Sequence, residues 1–213
     1  MVLDLLTGRG NKEGPWMART DEDIDLVRKS KTGDVSAFGE LVERYQSLVV
    51  GFCYRLLGNR EDAEDIAQET FMRAFGAIRR FQPRAKFSTW LLTIAKNLSL
   101  NLLRDERRRG RDVHIATVFE EEIQAVELVP SDNPGPDEAL RQNERAERVR
   151  RALFELSDVH RTIIVLRDFE GMTYEEIARV MRCRKGTVKS RLSRARNHLK
   201  EVLVARGDHD VFE

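Results

Sequence analysis

Between Asp34 and Gly58 the apolar residues Phe38, Leu41, Val42, Tyr45, Leu48, Val49, Phe52, Cys53, Leu56 and Leu57 recur at intervals of three and four. That period places them on one face of a long helix, which Asp34 is positioned to cap and Gly58 to stop. Asn59 opens a second helix whose first turn carries Glu61, Asp62, Glu64 and Asp65, acids that suit the positive end of a helix dipole. Its apolar face is Ala63, Ile66, Ala67, Phe71, Ala74, Phe75 and Ile78. A short helix over Glu22 to Lys31 is expected to pack against this pair. Pro83 then breaks the period, so Phe81 to Ser88 reads as a loop. A third helix follows from Thr89 to about Arg108, with Trp90, Leu91, Ile94, Ala95, Leu98 and Leu102 as its buried stripe.

The period is lost from Asp112 to Asp137, where Pro130, Pro134 and Pro136 fall close together. This segment reads as a linker. Helical spacing returns near Pro136 and runs through Ala139, Leu140, Ala146, Val149, Leu153 and Leu156. Three shorter segments come next. Ser157 is placed to cap one that ends at Gly171, and Thr173 with Glu176 has the spacing of a capping box for another. The last begins at Lys185 and buries Val188, Leu192, Ala195 and Leu199. The pattern predicts an all-α chain of two small helical domains joined by a flexible acidic linker. Its boundaries are a leader at 1–19, a first domain at 20–111, the linker at 112–137, a second domain at 138–204 and a tail at 205–213.

Composition sharpens this picture. Charged residues make up 34% of the 213, against about 25% in an average protein. The net charge of +1 conceals segregation: cations against acids number 18 to 14 over 19–111, 2 to 10 over 112–147 and 14 to 6 over 148–200. From Arg182 to Lys200 there are eight cations and no acid, the electrostatic footprint of a polyanion-binding surface. A solvated helix face usually mixes the two signs. Charged residues interrupt every apolar run, so no membrane span is expected, and the leader lacks a secretory signal pattern. The expectation is a cytosolic protein. Cys53 and Cys183 lie far apart, and His114, His160, His198 and His209 show no ligand spacing. A disulfide framework and a metal site are therefore not expected.

Two short helices, a turn and a basic helix make a helix-turn-helix, in which Ala178 is small enough to let the helices approach. Off the apolar stripe of the basic helix stand Arg184, Lys185, Gly186, Thr187, Lys189, Ser190, Arg191, Arg194 and Arg196. Guanidinium, ammonium and hydroxyl groups pair with phosphates or with base edges. The run Thr173-Tyr-Glu-Glu-Ile-Ala178 followed by Gly186-Thr-Val-Lys-Ser-Arg-Leu-Ser-Arg-Ala-Arg196 resembles region 4 of bacterial sigma factors, in particular the extracytoplasmic-function (ECF) group. Asn59-Arg-Glu-Asp-Ala-Glu-Asp-Ile-Ala-Gln-Glu-Thr-Phe71 and Phe87-Ser-Thr-Trp-Leu-Leu-Thr-Ile-Ala-Lys-Asn97 resemble region 2. The blocks stand in series and span most of the chain, which is far more specific than a helix-turn-helix alone.

The resemblance implies a promoter-specificity subunit of RNA polymerase, with no enzyme activity of its own. It implies that Asp62, Asp65, Gln68, Glu69, Thr70, Arg73 and Ala74 dock on the clamp of the polymerase's largest subunit, with the flap as a further contact region. Phe81, Lys86, Phe87, Ser88, Thr89, Lys96 and Asn97 would recognise and open the minus-10 element, with Arg104, Arg107 and Arg108 on phosphate. Trp90 is expected in the core, a place also open to Phe81 and Phe87. The helix from Lys185 would enter the major groove at minus-35. The 26 linker residues reach at most about 85 to 90 Å, enough to join sites about 70 Å apart, or two DNA turns. An anti-sigma factor is a further implied partner. A stand-alone helix-turn-helix regulator would leave the acidic turn at Asp62 and the aromatic loop at Phe81 unexplained, and a metal nuclease would need ligands the carboxylates of 61–69 lack.

Overall fold

A computed structural model describes residues 20–82, 85–110 and 136–208. The leader, nearly all of the linker, Pro83 and the last five residues lie outside the described residues. Every regular element among the described residues is helical: α1 (Thr20–Lys31), α2 (Val35–Leu57), α3 (Arg60–Ala77) closing in a 3-10 turn (Ile78–Arg80), α4 (Phe87–Arg108), α5 (Pro136–Phe154), α6 (Asp158–Ile164), α7 (Tyr174–Val180) and α8 (Lys185–Ala205).

The capping residues act as their chemistry dictates. Asp34 accepts from the Ala37 amide at 3.0 Å, Asn59 from Asp62 at 3.0 Å and Ser157 from His160 at 3.4 Å. The reciprocal capping box at Thr173 and Glu176 is present. Gly58 stops α2 at φ 77°, donating its amide to the Tyr54 carbonyl at 2.8 Å. Two boundaries differ from expectation. Helix α4 starts at Phe87 rather than Thr89, since Lys86 already supplies the extended residue a helix start needs. The segment after Ser157 leaves the α-helix at Ile164 and continues as a wide π turn, Val165–Phe169, before Gly171 at φ 66° reverses it.

In the first domain α2 packs against α1, α3 and α4. Asp23 of α1 is buried and pairs with Arg44 at 3.0 Å and with the Tyr45 hydroxyl, which fixes α1 across α2. In the second, α8 lies on α5, α6 and α7. The halves are also packed on each other, through α4 against α7 and α2 against α6, so one apolar core runs from Leu26 to Leu203. Burying a side chain such as Phe52, Leu91 or Ile164 is worth about 1.5 to 3 kcal/mol.

Candidate functional site

Helix α8 turns Val188, Leu192, Ala195, Leu199, Val202 and Leu203 inward. Arg184, Lys185, Gly186, Lys189, Ser190, Arg194 and Arg196 are exposed, with Thr187 and Arg191 partly so. Their availability differs. Lys185 pairs with Glu175 across the turn, and Arg196 grips the nearly buried Asp168 with Nε to Oδ2 at 3.2 Å. Arg196 therefore braces α8 against the π turn, a structural task the sequence does not reveal. Lys189, Arg191 and Arg194 form no ion pair among the described residues. The turn into α8 holds Arg182 in the left-handed region at φ 49°, a conformation non-glycine residues rarely adopt.

On α3 the exposed or partly exposed face is Asp62, Asp65, Gln68, Glu69 and Arg73, with Arg73 Nε on Glu69 Oε1 at 2.6 Å. Burial of Asp62, with Asp65 and Glu61 nearby, raises its pKa from its ordinary value. Two expected members of this face are elsewhere. Thr70 and Ala74 are fully buried, because they continue the stripe of Ala63 and Ala67, and the Thr70 hydroxyl donates to the Ile66 carbonyl at 2.7 Å. Their places at the surface are taken by Met72 (62% exposed) and Phe75 (44%). Met72 lies off the apolar stripe, so its exposure was legible in the period. Phe75, expected inside, sits at the edge of the stripe and only leans on Phe38, ring centroids 5.0 Å apart.

The loop between α3 and α4 also departs from expectation. Phe81 and Phe87 are buried in an aromatic cluster with Trp90 and Tyr45, at centroid distances of 4.8 to 5.8 Å. They are core residues, 6% and 3% exposed. Trp90, expected inside, is the partly exposed ring of the set. It lines a pocket of about 200 Å³ with Arg80, Thr89, Thr93 and Arg179, and the buried Thr89 hydroxyl has no hydrogen-bond partner among the described residues. Next to it, a groove of about 510 Å³ runs between α1 and the loop, lined by Ile24, Val27, Lys31, Phe87 and Glu176 among others.

The second domain covers part of this surface. Lys96 Nζ donates to the Val180 carbonyl at 3.1 Å, and Lys86 pairs with Glu176 at 3.1 Å. Burial and the neighbouring Arg182 lower the Lys96 pKa. Ser88 is buried and Asn97 half-buried. Of the cations ending α4, Arg107 holds Asp158 in a two-pronged pair at 2.9 and 2.5 Å, while Arg104 and Arg108 are exposed. Arg161 joins the halves. Its buried guanidinium donates to the Leu56 carbonyl at 2.6 Å and to Leu153, Phe154 and Leu156 at 3.1 to 3.4 Å. Burial lowers its pKa to about 10. A Cβ on Gly58 would meet the Phe154 ring at 2.8 Å, so glycine serves both the left-handed turn and the close approach. Sequence periodicity carried no signal for these contacts.

Cys53 is a core thiol pushed up to about 12 by burial, the Ser99 contact opposing. No cluster of three or more metal-ligating side chains occurs among the described residues. No helix among them is long and apolar enough to cross a membrane.

Residues 41–109 match sigma-70 region 2 and residues 146–199 match sigma-70 region 4. The chain is 35% identical over 187 residues to the RNA polymerase sigma-H factor of Pseudomonas aeruginosa, covering 88% of this chain and 96% of that protein. It is 34% identical over 178 residues to the ECF RNA polymerase sigma factor SigW of Bacillus subtilis, covering 83% and 94%. Among solved structures it resembles CnrH in complex with the cytosolic domain of CnrY, at TM-score 0.61 and 27% identity over 87% of this chain and 99% of that one. It also resembles the sigma factor RpoE in complex with the anti-sigma factor NepR from Bartonella quintana, at TM-score 0.56 and 31% identity over 78% and 96%. The chain belongs to the sigma-70 family, in its ECF group.

Proposed function

We propose that this sigma factor divides promoter-directed initiation between two faces, α3 for core RNA polymerase and α8 for the minus-35 element. The observation that carries the reading is the series of two unlike surfaces on one chain. One is an acidic and apolar face on α3, and the other is a set of unpaired cations on α8. Asp62, Asp65, Gln68, Glu69 and Arg73 supply complementary charge for the polymerase clamp, and Met72 and Phe75 add the desolvated anchors that concentrate binding energy. The second domain meets the flap. Lys185, Thr187, Lys189, Ser190, Arg191 and Arg194 lie on the first turns of α8, the part of a recognition helix that reaches bases.

Minus-10 recognition belongs to the start of α4. Trp90 and Thr89 border a pocket with Arg80 and Thr93, Lys86 caps the same helix and Lys96 and Asn97 lie further along it, and stacking on an aromatic face holds an unpaired base at about 1 to 3 kcal/mol. Arg104 and Arg108 remain outside for phosphate. In the closed arrangement Lys86 and Lys96 are held by the second domain, so promoter opening requires the halves to part. An anti-sigma factor, as in the RpoE complex, is the expected inhibitor. The protein supplies recognition while the polymerase supplies catalysis, and it acts in the cytoplasm.

Separate substitutions test the division. Glu69→Ala and Phe75→Ala are expected to weaken association with core polymerase by about tenfold or more each, leaving minus-35 affinity unchanged. Lys189→Ala should do the reverse and reduce the salt slope of DNA binding by about one. Loss of DNA affinity in Glu69→Ala with intact polymerase binding would contradict the assignment.

A further inference from the structure

Beside the recognition turns, Arg191 and Arg194 of α8 meet two histidines that the division of faces does not use. Arg191, Arg194 and His198 fall three and four residues apart on α8, one stripe continuing from Thr187. His160 of α6 meets this stripe, its ring edge to face with His198 at a centroid distance of 6.1 Å. Its Nδ1 is buried without a hydrogen-bond partner among the described residues, leaving Nε2 as the nitrogen a ligand would meet.

We propose that Arg191, Arg194, His198 and His160 together hold one backbone phosphate of the minus-35 duplex, and that the imidazole pair makes this grip tighten as pH falls. The proposal rests on the reading that α8 binds DNA. Four groups that carry or can acquire positive charge converge here, and no carboxylate pairs with Arg191, Arg194 or His198 among the described residues. The nearest acid on α6, Asp158, is taken by Arg107 of α4. Arg161, also on α6, is turned to carbonyls at the ends of α2 and α5. On α8 the nearest acid is Glu201, exposed and one turn beyond His198. Such a cluster lacks an anion, and a phosphodiester oxygen with its charge spread over two atoms suits a fork of arginines with imidazole donors.

The sign of the pH effect follows from the same neighbours. In the free protein, burial first, then His198, Arg194 and Arg191, lower the His160 pKa below its ordinary value. An entering phosphate opposes that repulsion and favours the charged imidazoles, so the complex holds more protons than the free chain. Binding must then strengthen as pH falls through the range where histidine titrates.

The test is the affinity of the full chain for a labelled minus-35 duplex, by fluorescence anisotropy at constant ionic strength. The wild type should bind about tenfold more tightly near pH 6 than near pH 8. His160→Gln with His198→Gln should keep the affinity seen near pH 8 and lose the gain near pH 6, with unchanged circular dichroism. Lys189→Ala should bind more weakly at both values and keep the gain. A wild type whose affinity ignores pH, or a double variant that keeps the gain, overturns the proposal while leaving α8 as the DNA helix. Absence of binding at every pH overturns both. The imidazole proton resonances give the second readout: they should move downfield with duplex, and inorganic phosphate moving them equally far would make this a free-anion site instead.

Discussion

Gly186 illustrates how a residue's cost points to its use. It sits on the first turn of α8 with an ordinary negative φ, and a Cβ there would meet nothing within 4 Å. Neither backbone conformation nor packing asks for glycine, yet glycine in a helix is about 1 kcal/mol worse than alanine in an interior position. The close approach of a DNA backbone is the remaining reason. Gly186→Ala is therefore expected to raise stability by about 0.5 to 1 kcal/mol in denaturant melts and to weaken minus-35 binding. A variant gaining stability with full DNA affinity would show that no phosphate comes near. The stripe of α8 itself was legible, since Val188, Leu192 and Ala195 define it in the sequence. The engagement of Arg196 with Asp168 was not, because a partner 28 positions away leaves no mark on a local period.

At the scale of elements, caps carry most of what the sequence reveals. Asp34, Asn59, Ser157 and Thr173 are short polar side chains that satisfy helix N–H groups only at a helix start, so each announces its boundary. Thr173 bears additional weight because Glu176, its capping partner, is buried and also reaches Lys86 of the other domain. Thr173→Ala is expected to cost about 1 kcal/mol of stability and to loosen the helix-turn-helix against α4. A calorimetric melt checks the first effect, and hydrogen exchange over Tyr174–Val180 the second. The sequence left Phe81 and Phe87 open between a DNA-facing loop and the core for a physical reason. Aromatic residues in a loop serve equally as an exposed platform or as an inward plug, and only the neighbouring Tyr45 and Trp90 rings decide that Phe81 and Phe87 point in.

For the whole molecule, the closed packing of the two domains is held by polar contacts over long sequence separations. Two helix C-termini, those of α2 and α5, direct carbonyls at Arg161, and Lys96 reaches the end of α7. Arg161→Met would leave several of these carbonyls unsatisfied, at about 1 to 3 kcal/mol for a buried group. The expected result is a lower melting temperature and a larger distance between labels on α3 and α8. Core polymerase should produce the same separation in the wild type. An unchanged label distance in both experiments would mean that the domains act without parting. The two-domain order was readable because each half has its own apolar stripes. Their mutual packing was not, since an intervening linker permits many arrangements with one pattern.

Transcription from a genomic library by purified bacterial core RNA polymerase, with and without this protein, is the decisive test of promoter-directed initiation. The protein should associate stably with the core and give a discrete set of new start sites that appear only when it is added. These sites should share two sequence elements spaced about two DNA turns apart. Specific DNA binding with no polymerase association and no new start sites would contradict that role, and would assign the helix-turn-helix to a stand-alone regulator.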